Sequence, residues 1–252
     1  LAVTSTFHLV EDRSGLGQGF DRMEGPRVDF RDGEISIRKM LPWLEEDLGS
    51  PTFAWLHLFD AHAPYGPPKP YDRKYYEGDP YSGPDSSLPE KVFPSDLVGL
   101  KDLNFPYAQY RAEVDYLDGS LSEILSTARA QRGIIAFTAD HGESFGRHGI
   151  WWNHDGLYPD TVHIPLILAW PGSPAGLRVD APVQQMDIGR TLMNLSGLES
   201  AAFEGRDLAW SWETPEARSP RFLLAAHSLS AAIEAGGWQL ILVLRDNQDA
   251  SN

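Results

Sequence analysis

Between Gly133 and His163 the chain reads Gly-Ile-Ile-Ala-Phe-Thr-Ala-Asp-His-Gly-Glu, followed by a loop that carries three more histidines. The apolar run Ile134 to Phe137 is short and bounded by a glycine, the pattern of a buried β-strand. It stops at Asp140-His141-Gly142, so a carboxylate and an imidazole stand side by side where a strand gives way to a loop. Open α/β sheets collect their ligands just beyond the carboxyl ends of their strands. His148, His154 and His163 follow, so half of the eight histidines fall in this one stretch. Asp and neutral His are both ligands for divalent cations. The same residue types also serve as helix N-caps and solvated loop histidines, so three residues alone do not decide the matter.

The rest of the chain supplies context. Leu1 to Val10 is β-like, and Glu11 to Gly19 is a polar, Gly-rich loop. Ile37, Met40, Leu41, Leu44 and Leu48 recur at three- and four-residue spacing, which predicts an amphipathic helix to about Asp47, with Pro42 imposing a kink or a late start. Thr52 to Phe59 reads as a buried strand that ends at Asp60-Ala61-His62. This is a second strand that delivers an Asp and a His to a loop, while His57 inside it reads as structural. Gly66 to Pro94 is a long loop rich in Pro, Tyr, Gly and Asp; its Lys69, Arg73 and Lys74 could meet an anion but read better as solvated surface charge.

Tyr107 to Ala130 is the clearest helix, with Tyr110, Val114, Leu117, Leu121, Ile124, Leu125 and Ala128 as its core stripe. A helix followed closely by a buried strand is an α/β signature. Ile164 to Trp170 predicts a further buried strand. Val183 to Leu195 starts extended and continues as a helix with Asp187 as N-cap. Phe203 to Leu208 is a loop, and Phe222 to Ala226 is a strand. Ser230 to Glu234 and Trp238 to Leu244 form a β-hairpin through Ala235-Gly236-Gly237.

Composition narrows the function. A chain of 252 residues with 42% hydrophobic residues and eight tryptophans can bury a sizeable core as one domain. Its net charge of -15 argues against nucleic acid as a partner, because phosphate backbones attract basic surfaces. No run is long enough for a transmembrane helix, and no secretory leader is visible, which leaves the compartment open. There is no cysteine, so there are no disulfides and no thiolate chemistry.

The order of these pieces resembles the sulfatase family of the alkaline phosphatase-like superfamily. The resemblance rests on Gly19-Phe20-Asp21, Phe59-Asp60-Ala61-His62-Ala63-Pro64-Tyr65, Tyr110 to Asp118, Thr138-Ala139-Asp140-His141-Gly142-Glu143 and Gly146-Arg147-His148-Gly149. It continues through His154, His163-Ile164-Pro165-Leu166-Ile167, Trp170-Pro171-Gly172, Asp187-Ile188, Gly197-Leu198 and Gly205-Arg206-Asp207-Leu208. It implies an α/β fold with a central mixed, mostly parallel sheet flanked by helices and a C-terminal β-hairpin. Residues 1–252 would then be a single catalytic domain, with 219–252 opening a small C-terminal β subdomain. It further implies a hydrolase of sulfate esters with one divalent metal, calcium before manganese or zinc. Asp140 and His141 match a metal-binding pair, His62 a histidine that contacts the sulfate, and His154 a residue on the substrate oxygens or leaving group. The implied partner is a sulfated small molecule or polysaccharide; an enzyme acting on polymers would be periplasmic or secreted, and otherwise cytoplasmic.

The sequence departs from the family in two respects. The family nucleophile is a formylglycine made from the Cys or Ser of a Cys/Ser-x-Pro-x-Arg motif, and two further Asp ligands lie near it. None of these is found here, and Thr214-Pro215-Glu216-Ala217-Arg218 has the wrong spacing. The expectation is a chain truncated at its N-terminus relative to the family, inactive by itself, with the formylglycine in the missing part. Two alternatives remain: a phosphodiester or phosphonate hydrolase or phosphoglycerol transferase on the same fold, and a non-catalytic binding domain that kept the scaffold.

Overall fold

Ala2 and Val3 form the first strand (β1, Ala2–Val3), are fully buried and lie at the centre of a three-stranded sheet. The computed structural model describes residues 1–84, 88–89, 92–208 and 230–243, and the backbone of 221–225. The chain divides into two compact units, Leu1–Gln131 and Arg132–Asn252.

In the first unit β1 lies between β2 (Met23–Glu24) and β3 (Trp55–Leu56), with all neighbours parallel. Between β1 and β2, Glu11–Ser14 forms a short helix (α1) where the sequence suggested only a polar loop; Glu11 and Asp12 in its first turn suit the helix dipole, and Gly15 closes it at φ 69°. Helix α2 (Gly33–Glu45) packs on β1. It starts four residues before the first apolar marker, and Pro42 sits inside it rather than delaying its start. Ile37, Met40 and Leu44 on its inner face are buried, and Met40 and Leu44 join Leu1 and Val3 in a cluster completed by Trp43, Leu48, Leu56 and Ile124. Burying each such side chain contributes about 1.5–3 kcal/mol.

Helix α3 (Asn104–Ser126) is the long helix the spacing called for. Its buried face differs from the expected stripe. Ala108, Gln109, Ala112, Glu113 and Tyr116 are inside, whereas Val114 and Leu125 are 44% and 42% exposed. The reason lies in what covers the helix. The 65–76 segment lies on the Gln109 face, where Gln109 Nε2 donates to the Asp72 carbonyl (3.0 Å) and Tyr71 meets Tyr116 edge-on (5.7 Å between centroids). At Thr127 the backbone turns extended (ψ 145°), and the Thr127 hydroxyl accepts the Ala130 N–H (3.2 Å), so a separate helix α4 (Ala128–Arg132) begins. Of the long loop's cations, Arg73 donates to the Gly78 carbonyl (2.8 Å) and Lys74 pairs with Asp115 (2.5 Å); both are exposed, as solvated surface charges are.

In the second unit β4 (Ile135–Thr138) pairs antiparallel with β7 (Leu166–Ala169). Both were expected to be buried, but Phe137 is 42% and Ile167 59% exposed. Among the described residues each strand pairs only with the other, which leaves both outer edges of the ribbon without a strand neighbour, and Phe137 and Ile167 stand directly opposite one another. Between them lie the β5–β6 hairpin (Ser144–Phe145 and Trp151–Asn153) and the short helix α5 (Pro159–Val162). Helix α6 (Gln185–Leu195) follows. Asp187 is its third residue rather than its N-cap: Gln184 caps the helix, and the Asp187 carboxylate accepts the Gln184 N–H (2.8 Å) to close a capping box. The other Asp187 oxygen accepts the Arg206 N–H (2.8 Å), and the Thr191 hydroxyl accepts the Leu208 N–H (2.9 Å), which ties the Gly205–Leu208 segment to α6.

The C-terminal hairpin is present and larger than expected. Strand β8 (Arg221–Ala225) pairs antiparallel with β9 (Ser230–Ala235), and β9 with β10 (Trp238–Val243) across Gly236-Gly237, both at positive φ as a tight two-residue turn requires. The expected strand and hairpin residues Ala226 and Leu244, and the Thr214–Arg218 near-match, lie outside the described residues. No described helix is long and apolar enough to cross a membrane.

Candidate active site

The Asp-His-Gly turn is built as strand end plus close approach. The Thr138 hydroxyl donates to the Pro165 carbonyl (2.9 Å), and Gln185 Nε2 donates to the Ala139 carbonyl (3.0 Å), which pins the last residues of β4. The Gly142 N–H then donates to the Thr161 carbonyl (2.8 Å). A Cβ on Gly142 would run into the Asp160 carbonyl oxygen, so only glycine lets these two backbones meet.

Asp140 and His141 face one another at this turn. Asp140 Oδ1 accepts the His141 backbone N–H (3.0 Å), and Asp140 Oδ2 lies 3.7 Å from His141 Nε2. His141 Nδ1 is 2.9 Å from the Gly142 carbonyl oxygen. A carbonyl only accepts, so Nδ1 carries the hydrogen and Nε2 presents its lone pair beside the carboxylate. A metal-ligating histidine is held in this way, its second ring nitrogen donating to a backbone carbonyl. The Asp140 side chain is 75% exposed and His141 35%, so both can be reached from outside. The donor set therefore fits two positions of a cation's shell. Among the described residues no group of three or more His, Asp or Glu side chains is arranged so that it could hold a metal ion.

His154 joins this pair. Strand β6 ends at Asn153, whose side-chain oxygen accepts the His154 N–H (2.7 Å). The His154 ring stacks on His141 with centroids 3.9 Å apart and planes 20° from parallel. An open groove of about 1700 Å³ runs past Asp140, His141 and His154 and is also lined by His163, Arg178 and Gln185. The other two histidines of the stretch are placed differently. His148, at φ 54°, stacks on Tyr158 (4.0 Å), and His163 ends α5 with its N–H on the Pro159 carbonyl (2.9 Å).

His62 belongs to the first unit, in the turn after β3. Its N–H donates to the Phe59 carbonyl (2.9 Å), and its ring stacks on Phe59 (4.3 Å between centroids). Nδ1 lies 2.6 Å from the Ala63 carbonyl oxygen, so here too Nδ1 carries the hydrogen. Two carboxyl groups accompany this turn. Asp60 Oδ1 accepts the Gly33 N–H (2.8 Å) at the start of α2, and burial pushes its carboxyl above the ordinary value. Glu113 Oε1 accepts the Gly66 N–H (3.0 Å), and burial pushes its carboxyl up to about 7, with the neighbouring charges of Asp60 and Asp32 acting in the same direction. Glu113 was not singled out from the sequence. The available signal was a Glu next to Ala112 and one turn from Tyr110 in a helix whose other acids sit on the outer face.

The Sulfatase family model matches residues 11–198. The chain belongs to the sulfatase family. It is 28% identical over 191 residues to human iduronate 2-sulfatase, a match that covers 60% of this chain and 34% of that protein. It is 29% identical over 138 residues to a sulfatase of Formosa agariphila, covering 52% of this chain and 27% of the relative. The chain thus matches about a third or less of the length of these curated relatives. Among solved structures it resembles the phosphonate monoester hydrolase SpPMH from Silicibacter pomeroyi, with a TM-score of 0.67 and 21% identity over 90% of this chain and 55% of that one. Likeness at this identity establishes the alkaline phosphatase-like α/β fold.

Proposed function

We propose that the protein to which this chain belongs is a metal-dependent hydrolase of sulfate esters, and that Asp140, His141, His154 and His62 are this chain's share of its active site. The observation that carries the reading is the Asp140–His141 pair, with Nε2 and Oδ2 3.7 Å apart and the tautomer set by the Gly142 carbonyl, in a chain of the sulfatase family. Asp140 Oδ2 and His141 Nε2 would hold one hard divalent cation, calcium before manganese or zinc. When bound, such a cation supplies charge to the non-bridging oxygens of the ester.

The remaining work falls to the histidines. Sulfate monoester cleavage needs stabilisation of equatorial oxygens and a proton for the leaving oxygen. His62 has its Nδ1–H committed to the Ala63 carbonyl, so a proton taken up at Nε2 makes it a cationic donor to a sulfate oxygen. His154, whose ring stacks on His141, would protonate the leaving group. No Cys/Ser-x-Pro-x-Arg is present to yield formylglycine, and two ligands are few for a cation that takes six to eight oxygens, so in this reading the chain by itself does not turn over. In this reading residues 1–252 form one catalytic domain, and 219–252 open a small β subdomain. The substrates are sulfated small molecules or polysaccharides.

The test uses the intact protein from the full reading frame. It should release sulfate from an aryl sulfate, lose that activity to a chelator, and lose it by at least about 100-fold in Asp140→Ala and His154→Ala. Residues 1–252 alone should be inactive. Faster cleavage of an aryl phosphonate than of the sulfate would instead favour phosphonate hydrolysis on the same fold, and binding of sulfated glycan without turnover would favour a binding domain.

A further inference from the structure

The turn that carries His62 is gripped at both ends by carboxyl groups that the proposed reaction does not use, the half-buried Asp60 and the buried Glu113. At its start, Asp60 Oδ1 accepts the Gly33 N–H from the first turn of α2. The other oxygen, Asp60 Oδ2, is out of contact with solvent and has no hydrogen-bond partner. Gly33 is the only residue type that leaves room for it, since a Cβ there would sit 2.8 Å from Oδ2. At the end of the turn two consecutive residues are held by one face of α3. Tyr65 meets Tyr110 edge-on (5.9 Å between centroids), and one helical turn later Glu113 Oε1 accepts the Gly66 N–H (3.0 Å). Glu113 is only 4% exposed.

A buried carboxyl in a helix face costs stability unless it does something there. If Glu113 served packing alone, a Gln or Met of similar size would fill the space at lower cost. Its acceptor is aimed at the backbone of the His62 turn, and the acidic groups facing it come from other elements, Asp60 after β3 and Asp32 before α2.

We propose that Glu113 is a positioning residue for His62: through Gly66 it fixes the far end of the 60–66 turn, and its ionisation sets how tightly that turn is held. The inference rests on the reading of His62 as a substrate-contacting residue, but its mechanics do not. As a carboxylate, Glu113 is a stronger acceptor for the Gly66 N–H but is repelled by Asp60 and Asp32. As a neutral acid it escapes the repulsion and holds the amide more weakly. The first form prevails above neutrality, where burial leaves the group at about 7, and the second below it.

The experiment reads the turn directly and needs no turnover, so its failure is separate from failure of the proposed activity. In the full chain, exchange protection of the Gly66 amide and the His62 ring-proton shift are followed by NMR from about pH 5 to about pH 8. In the wild type the His62 shift should show a second inflection near neutrality that tracks Glu113. Glu113→Gln keeps an acceptor for Gly66 and removes the ionisation; it should retain Gly66 protection within about threefold and lose that inflection. Glu113→Ala should lower Gly66 protection by about tenfold, the value of one hydrogen bond. Superimposable His62 curves in wild type and Glu113→Gln overturn the proposal, whether or not the Ala variant folds. So does unchanged Gly66 protection in a folded Glu113→Ala.

Discussion

Replacing Glu113 by Gln should change how stability depends on pH, and the size of the change follows from the burial of the group. In the unfolded chain a Glu carboxyl titrates near its ordinary 4.5, and in the folded protein burial holds Glu113 at about 7. Between those values the folded state binds the extra proton. Its contribution is therefore complete below about pH 4.5 and is lost as pH rises through about 7. If the whole difference counted, the loss would be about 3 kcal/mol, at ~1.4 kcal/mol for each tenfold in proton affinity. Water reaches the neighbourhood of the His62 turn, so screening reduces this to about 1–2 kcal/mol. The assay is urea unfolding of wild type and Glu113→Gln at matched pH values. The Gln variant should gain on the wild type by about 1–2 kcal/mol between about pH 5 and about pH 8, with equal m-values. A difference between the two proteins that stays constant across that range would refute the reasoning, because it would mean that Glu113 ionises equally in folded and unfolded chains.

Further perturbations test other parts of the account. Gly142→Ala should destabilise by about 2–4 kcal/mol in denaturant unfolding, since its Cβ meets the Asp160 carbonyl and the Gly142–Thr161 hydrogen bond must shift. Asp187→Ala removes a buried carboxylate that accepts from both the Gln184 and Arg206 backbones and should cost about 1–3 kcal/mol; an unchanged melting temperature would contradict the capping box. Met40→Ala should cost about 2–5 kcal/mol, because Met40 is fully buried on the inner face of α2 in the cluster with Leu1, Val3 and Leu44. In the intact protein, Asp140→Ala should weaken calcium binding by at least about tenfold in titration calorimetry, and equal affinity would remove Asp140 from the metal site.

Local pattern carried far in this chain. The α2 and α3 helices, the β4 strand that leads to Asp140 and His141, and the glycine turn of the C-terminal hairpin are readable from residue spacing, whereas of the buried strand expected over Thr52 to Phe59 only Trp55–Leu56 is formed and Phe53 is 64% exposed. In each case the signal is a property of neighbours in sequence: a period of three to four residues, a short apolar run, or two glycines that tolerate positive φ. The pairing of Asp140 with His141 was equally legible because the two residues are adjacent. Membership of the family was legible because many weak motifs occur in one order.

What depends on residues far apart in sequence was not legible. The buried face of α3 turned toward Gln109, Glu113 and Tyr116 because the 65–76 segment covers it, and no spacing within the helix encodes that cover. Asp187 became the third residue of α6 rather than its cap because Gln184 and Arg206 both present N–H groups to its carboxylate. The stacking of His154 on His141 needed the β5–β6 hairpin to fold back. The elevated Glu113 carboxyl needed burial that removes water, with Asp60 and Asp32 brought near it from other elements as lesser contributions. The sequence by itself determined which segments could be helix, strand or turn, and which side chains were chemically able to bind a cation or an ester. Only the tertiary structure decided which of them meet, and at what ionisation, because burial and charge–charge coupling act through space rather than along the chain.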